Sequence, residues 1–317
     1  MATRIKRQNI TTKEMTWGQA VNLYLEERER YNIAYTTLKN YRSIIDKYAR
    51  TFDIKDDTSI ADATTHTPEE IIDILKAQGN KATTINANTR AINTFFKWMA
   101  QANMIRVYTP TKLLRVEDEL PRFLSEDEID KLMGSPYNRN DFVESRTYTI
   151  SALMLATGIR VGSVPEIRVE DWNRDEGTIL LRKTKTKKQQ LIYLPASAKE
   201  VLDRYFYDYI YKTNIKYLFP NSYGEQVAVY TLEMAYNRFV KKRGINNTKI
   251  HSLRHTAAYY YIRNGGNIYR LQKMLNHSSV ESTMRYGRLF DEDVIKDFQD
   301  MSILNDYVGI KVQKRRK

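Results

Sequence analysis

The sequence predicts a mainly helical chain with one small antiparallel β-hairpin, divided into two domains. Three observations carry that expectation: apolar residues recur at helical spacing over most of the chain, a single pair of short apolar runs flanks a lysine-rich turn, and a proline-bracketed stretch interrupts the pattern about a third of the way along. With 317 residues, 42% of them hydrophobic, the chain is long enough to bury two ordinary cores.

Residues 1–14 read as a basic amino-terminal segment without the apolar core of a signal peptide. The first domain is expected over residues 15–108. Val21, Leu23, Tyr24 and Leu25, then Leu38, Tyr41, Ile44, Ile45 and Tyr48, give two antiparallel helices with a break around Tyr31 to Tyr35. Pro68, Glu69 and Glu70 open a third helix, because proline suits the first turn and acids suit the positive end of the helix dipole. Thr83 and Thr84 lead into Ile85, Ala91, Ile92, Phe95, Phe96 and Trp98, a fourth amphipathic helix. Residues 109–121, bracketed by Pro110 and Pro121, read as a linker.

The second domain is expected over residues 122–290. Ser125 with Glu128 forms a capping box at its first helix. Thr178 to Leu181 and Leu191 to Leu194 are the two strands of the hairpin. Ser278 with Glu281 is a second capping box. Residues 291–317 supply a last helix, striped by Val294, Ile295, Phe298, Met301, Ile303, Leu304 and Tyr307, and a basic tail.

A formal charge of +13 points to a polyanionic partner, nucleic acid before an anionic membrane surface, since cations that neutralise phosphates release condensed counterions. No apolar run is long enough to span a bilayer. The absence of cysteine excludes disulfides, thiolate chemistry and cysteine-based zinc sites, and favours a cytoplasmic address. With 23 tyrosines, any one of them needs support from its neighbours.

The chemistry-bearing groups are Thr157-Gly158-Ile159-Arg160, the hairpin lysines, His251-Ser252-Leu253-Arg254-His255, His277 and Tyr286. Cutting a phosphodiester requires a nucleophile, a proton for the leaving oxygen and positive charge around phosphorus. Most nucleases hold metal ions with clustered carboxylates; here the acids are scattered. Arginine can replace the metal, because its planar fork grips two phosphate oxygens and stays charged. Gly158 ends a helix and presents Arg160 at a boundary. Arg254 lies one helical turn beyond His251, so both share a face. The second capping box puts Tyr286 about two turns into a helix, with His277 just before it. A tyrosine of pKa about 10 then needs nearby cations or a base to attack at neutral pH.

Taken singly, each residue has an ordinary reading. Tyr286 would be a packing tyrosine, His277 a cap, Arg160 a surface cation, His251 and His255 a pair on a plain helix, and the lysines a solvated turn. The histidine pair lacks the glutamate of a zinc-binding His-Glu-x-x-His helix.

Jointly and in order, the residues resemble the tyrosine recombinase and phage-type integrase family, whose signature falls on Arg160, Lys185, His251, Arg254, His277 and Tyr286. The helical first unit, with Thr84-Ile85-Asn86 and Phe95-Phe96-Lys97-Trp98-Met99, is similar to the family's core-binding domain. The resemblance implies a two-domain clamp, a helical core-binding domain plus a tyrosine recombinase catalytic domain, that cuts and rejoins double-stranded DNA through a 3′-phosphotyrosyl link without metal, ATP or cofactor. It makes Tyr286 the nucleophile, Arg160 and Arg254 the groups that stabilise the phosphoryl charge, and Lys185 the acid for the departing oxygen, with Lys183 and Lys187 as the other choices. His251 would assist proton transfer from the phenol, and His277 would bond a phosphate oxygen. Lys183, Lys187 and Lys188, with Arg42 and Lys97, are the expected DNA contacts. A homotetramer on two duplexes, with the last helix docked on a neighbouring protomer and accessory DNA-bending factors as further partners, completes what the resemblance implies.

Two positions depart from the family pattern. Ser163 stands where an acid usually orients the site, and Leu275-Asn276-His277 replaces Leu-Gly-His while keeping a residue tolerant of positive φ. Ser163 leaves open a catalytically silent DNA-binding repressor on the same fold. A monomeric topoisomerase of type IB shares the chemistry, but the separate amino-terminal unit and last helix favour recombination.

Overall fold

The structure, a computed structural model, describes residues 15–106, 108–116, 121–134, 137–182, 189–276, 283, 284 and 286. It divides into two compact units, Met1–Asp118 and Glu119–Lys317.

In the first unit, α1 (Trp17–Arg30) and α2 (Tyr35–Thr51) are followed by a single turn, α3 (Ile60–Ala63), then α4 (Pro68–Ala77) and α5 (Ala82–Gln101). α1 starts on a capping box in which Thr16 accepts from the Gln19 N–H and Gln19 accepts from Thr16. α4 starts in the same way on Thr67 and Glu70, with Pro68 in its first turn. α5 provides the central rib and buries Ile85, Ile92, Phe95, Phe96, Trp98 and Met99. Trp17 lies edge-on to Phe95, with ring centroids 5.3 Å apart, and is stacked on Tyr48. These rings belong to the buried core of this unit.

Over residues 108–116 the proline-containing stretch is bonded onto α5. Asn86 exchanges two 2.8 Å hydrogen bonds with the Leu114 backbone, and Asn93 donates to the Thr111 carbonyl at 2.9 Å. Side-chain amides of α5 thus act as extra backbone partners for a segment that has no strand or helix of its own.

The second unit opens on α6 (Glu126–Ile129), capped by Ser125 and Glu128, and runs through a π turn to the central helix α7 (Phe142–Thr157). α7 packs against α8 (Ala196–Tyr209), α9 (Val229–Lys242) and α10 (Ile250–Arg263). Because it is covered on several sides, its polar residues need internal partners. Thr147, Thr149, Ser151 and Thr157 each donate to the carbonyl four residues back, at 2.6–2.9 Å. Arg146 is buried and donates to the Pro220 carbonyl.

The hairpin strands are β2 (Thr178–Leu181) and β3 (Gln190–Tyr193), paired antiparallel with Ile179 opposite Ile192. A third strand, β1 (Trp172–Asn173), joins the other edge of β2 and makes a sheet of order β1-β2-β3. Two residues cannot show the alternation by which a strand is read from sequence. The short helix α11 (Ile268–Leu275) completes the named elements, and Thr283, Met284 and Tyr286 are helical. Lys183, Lys185, Lys187, Lys188, His277, the capping box at 278–281 and the helix expected over 294–307 lie outside the described residues.

Candidate active site

α7 stops at Gly158, whose φ of 65° puts it in the left-handed region while its N–H caps the Met154 carbonyl at 2.8 Å. A Cβ at this position would lie 2.5 Å from Leu275 Cδ2, so both backbone conformation and close packing require glycine. Two residues on, Arg160 has left the helix in extended geometry and heads the 3-10 turn Val161–Glu166. Ser163 lies inside that turn, where its N–H donates to the Arg160 carbonyl at 2.9 Å.

The carboxy-terminal end of α11 faces the end of α7. Like every α-helix, α11 leaves its last carbonyls without intrahelical partners and carries partial negative charge there. Three side chains fill the vacancy. Gln190 donates to the Met274 carbonyl at 2.9 Å, Arg254 Nη2 to Leu275 at 2.7 Å and Arg160 Nη2 to Asn276 at 3.2 Å. Asn276 is in the left-handed region, φ 49°, which turns its carbonyl toward the guanidinium group. Arg254 Nη1 reaches back to the Gly158 carbonyl at 2.5 Å and so ties α7, α10 and α11 together.

Two guanidinium groups therefore stand side by side. Arg254 is only 3% exposed, and burial first, then the charge of Arg160, push its pKa down to about 10, which leaves it cationic at neutral pH. Burial also lowers the pKa of Arg160. Among the described residues neither is paired with a carboxylate. Such an arrangement costs electrostatic energy in the free protein and is relieved by an anion.

His251, one turn before Arg254 on α10, is exposed by area yet packed on its protein side. That desolvation, with the charges of Arg254 and Arg160, holds its pKa below the usual imidazole value and favours the neutral ring. Tyr286 is 3% exposed and sits in a small apolar cluster with Ala258, Leu271 and Leu275. Its Oη lies 2.7 Å from His255 Nδ1, and the His255 ring meets His251 edge-on with centroids 5.0 Å apart.

Arg160, His251, Arg254 and Tyr286 thus come together at one place in the second unit. Arg42 and Lys97 lie in the first unit. Arg42 bonds Asp46 at 3.1 Å and Asn22 at 3.0 Å, while Lys97 is exposed and lines a groove with Arg28 and Arg90. The signal for Arg90 is its spacing, since Arg90 and Lys97 are seven residues apart, two turns on one face of α5, whereas no local pattern points to Arg28. The sequence places His255 among the chemistry-bearing groups without a role of its own, and the structure sets it against Tyr286. Among the described residues no cluster of three or more His, Asp or Glu side chains is placed to hold a metal ion, and no helix is long and apolar enough to cross a membrane.

The phage integrase family profile matches residues 122–293, and the profile of the phage integrase N-terminal SAM-like domain matches residues 21–103. The chain belongs to the phage integrase family. It is 26% identical over 294 residues to tyrosine recombinase XerC of Staphylococcus epidermidis, which spans 88% of this chain and 94% of the relative. It is also 26% identical over 263 residues to tyrosine recombinase XerD of Oceanobacillus iheyensis, 79% and 86% of the two chains.

Among solved structures, the Tn1549 transposon integrase in complex with transposon right end DNA superposes with a TM-score of 0.71 at 17% identity, over 89% of this chain and all of that one, 100%. A lambda integrase tetramer bound to a Holliday junction gives 0.68 at 20% identity, over 86% and 77%. At these identities the structural likeness shows the fold. Family and curated relatives make the chain a site-specific DNA recombinase of the tyrosine class.

Proposed function

We propose that Tyr286 attacks a DNA phosphodiester to give a 3′-phosphotyrosyl link and a free 5′-hydroxyl, and that a 5′-hydroxyl of another strand reverses the step. The observation that carries this reading is the pair of guanidinium groups, Arg160 and Arg254, unpaired with carboxylates among the described residues and held on the carbonyls of Asn276 and Leu275, against which Tyr286 also packs through the Leu275 side chain. Fixed cations aimed at a phosphoryl group stabilise the charge that develops on it as the bond to tyrosine forms. In this reading the reaction uses no metal, cofactor or ATP, because the arginines supply what a metal would. Lys185 protonates the departing oxygen and His277 bonds a phosphate oxygen, roles that rest on the family pattern.

Double-stranded DNA is the partner, with the chain's charge of +13 driving association. Arg28, Arg90 and Lys97 line a groove of about 560 Å³ in the first unit suited to backbone phosphates. Lys183, Lys187, Lys188 and Arg42 are the further proposed contacts. The working assembly is a homotetramer on two duplexes, in the cytoplasm, where the DNA is. The proposed domain limits are 15–108 for DNA grip, 122–290 for catalysis and 291–317 for docking.

The test is covalent capture on a nicked suicide substrate. Wild type should form the adduct in EDTA, whereas Tyr286→Phe should bind DNA nearly as well and form none. Undiminished adduct from the variant, or abolition by chelator with rescue by magnesium, would overturn the proposal.

A further inference from the structure

A phenol that attacks phosphorus must give up its proton, and the place of Tyr286 limits where that proton can go. Its side chain is 3% exposed and packed among Ala258, Leu271 and Leu275, so bulk water is a poor acceptor. A buried phenol needs a protein base within hydrogen-bond reach. His255 Nδ1 is at 2.7 Å, whereas no hydrogen bond joins His251 to Tyr286 among the described residues. His251 stands one turn further out on α10, edge-on to His255 and exposed.

We infer that His255 is the general base for Tyr286, with His251 packed edge-on against its ring on the exposed side. The inference rests on Tyr286 being the nucleophile. In the tautomer with its proton on Nε2, His255 accepts the phenol's hydrogen bond at Nδ1. As the Tyr286 Oη–P bond forms, the phenolic proton moves to Nδ1, the P–O5′ bond breaks, and the 5′ oxygen leaves with a proton from the general acid assigned to Lys185. Rejoining runs the same transfers backwards: the 5′-hydroxyl gives its proton to the lysine and imidazolium returns its own to the phenolate. Among the described residues, the charged and titratable groups near the pair are His251 on α10, Arg254 beside His255 and Arg160 from the end of α7.

The experiment is single-turnover adduct formation against pH, on full-length protein with a suicide substrate. Wild type should slow as pH falls through the imidazole range, because protonated His255 cannot accept. His255→Gln should bind DNA normally, form adduct about 10²-fold or more slowly and lose that acid limb, while His251→Gln should keep it. Added imidazole should restore adduct formation to His255→Ala, which a purely structural role would not allow. Should the alanine variant fail to fold, His255→Asn carries the pH test. A His255→Gln enzyme with the wild-type rate, or a slow one that keeps the acid limb, would overturn the assignment, as would loss of the limb in His251→Gln alone. Failure of wild type itself to form adduct would instead remove the reading of Tyr286 on which the inference stands.

Discussion

At the scale of single residues, the site depends on what arginine does that lysine does not. Arg254 donates at once to the Gly158 and Leu275 carbonyls, two bonds in fixed directions that a point-charge ammonium cannot match. A lysine suits the opposite task, since its ammonium can lose a proton to a leaving oxygen. Lys185→Ala should therefore slow cleavage while leaving DNA binding largely intact, and a 5′-phosphorothiolate substrate, whose sulfur leaves without protonation, should restore its rate. Rescue confined to Lys183 or Lys187 variants would place the acid at another lysine. Arg160, His251, Arg254 and Tyr286 were legible in the sequence because residue type, order and helical spacing all constrain them. The contact between His255 and Tyr286 was not. It joins residues 31 apart across two elements, and no local pattern encodes which neighbouring imidazole meets the phenol.

At the scale of elements, the ends of α7 and α11 matter more than their bodies. Gly158 closes α7 against Leu275, and the α11 carbonyls hold both arginines. Gly158→Ala forces a side chain into left-handed backbone and against Leu275 Cδ2, so it should destabilise the fold by about 1–3 kcal/mol. It should also lower adduct formation out of proportion to DNA affinity, because Leu275 carries an acceptor for Arg254. Thermal melts and adduct assays check this, and a variant as stable and active as wild type would refute the role given to this junction. The capping box at Ser125, the proline-led start of α4 and the glycine stop were readable, since local residues make them. The strand β1 was not, because two residues are too few to show an alternation, and the caged end of α11 was not, because it exists only through contacts with distant chain.

At the scale of the whole molecule, the chain comprises two units, with the SAM-like profile falling on the first and the phage integrase profile on the second. Deleting residues after Phe290 should leave single-site DNA binding largely intact but abolish the paired-site complex and recombination, as light scattering and native gels on DNA would show. A truncated chain that still pairs two sites would refute docking by the last helix. The claim beneath all of these is the identity of the nucleophile among 23 tyrosines. Mass spectrometry of the trapped adduct, after digestion of protein and DNA, reads it directly: the account predicts a nucleotide on Tyr286 with a 3′-phosphodiester link. A nucleotide on another residue, or on Tyr286 through a 5′ link, would contradict it.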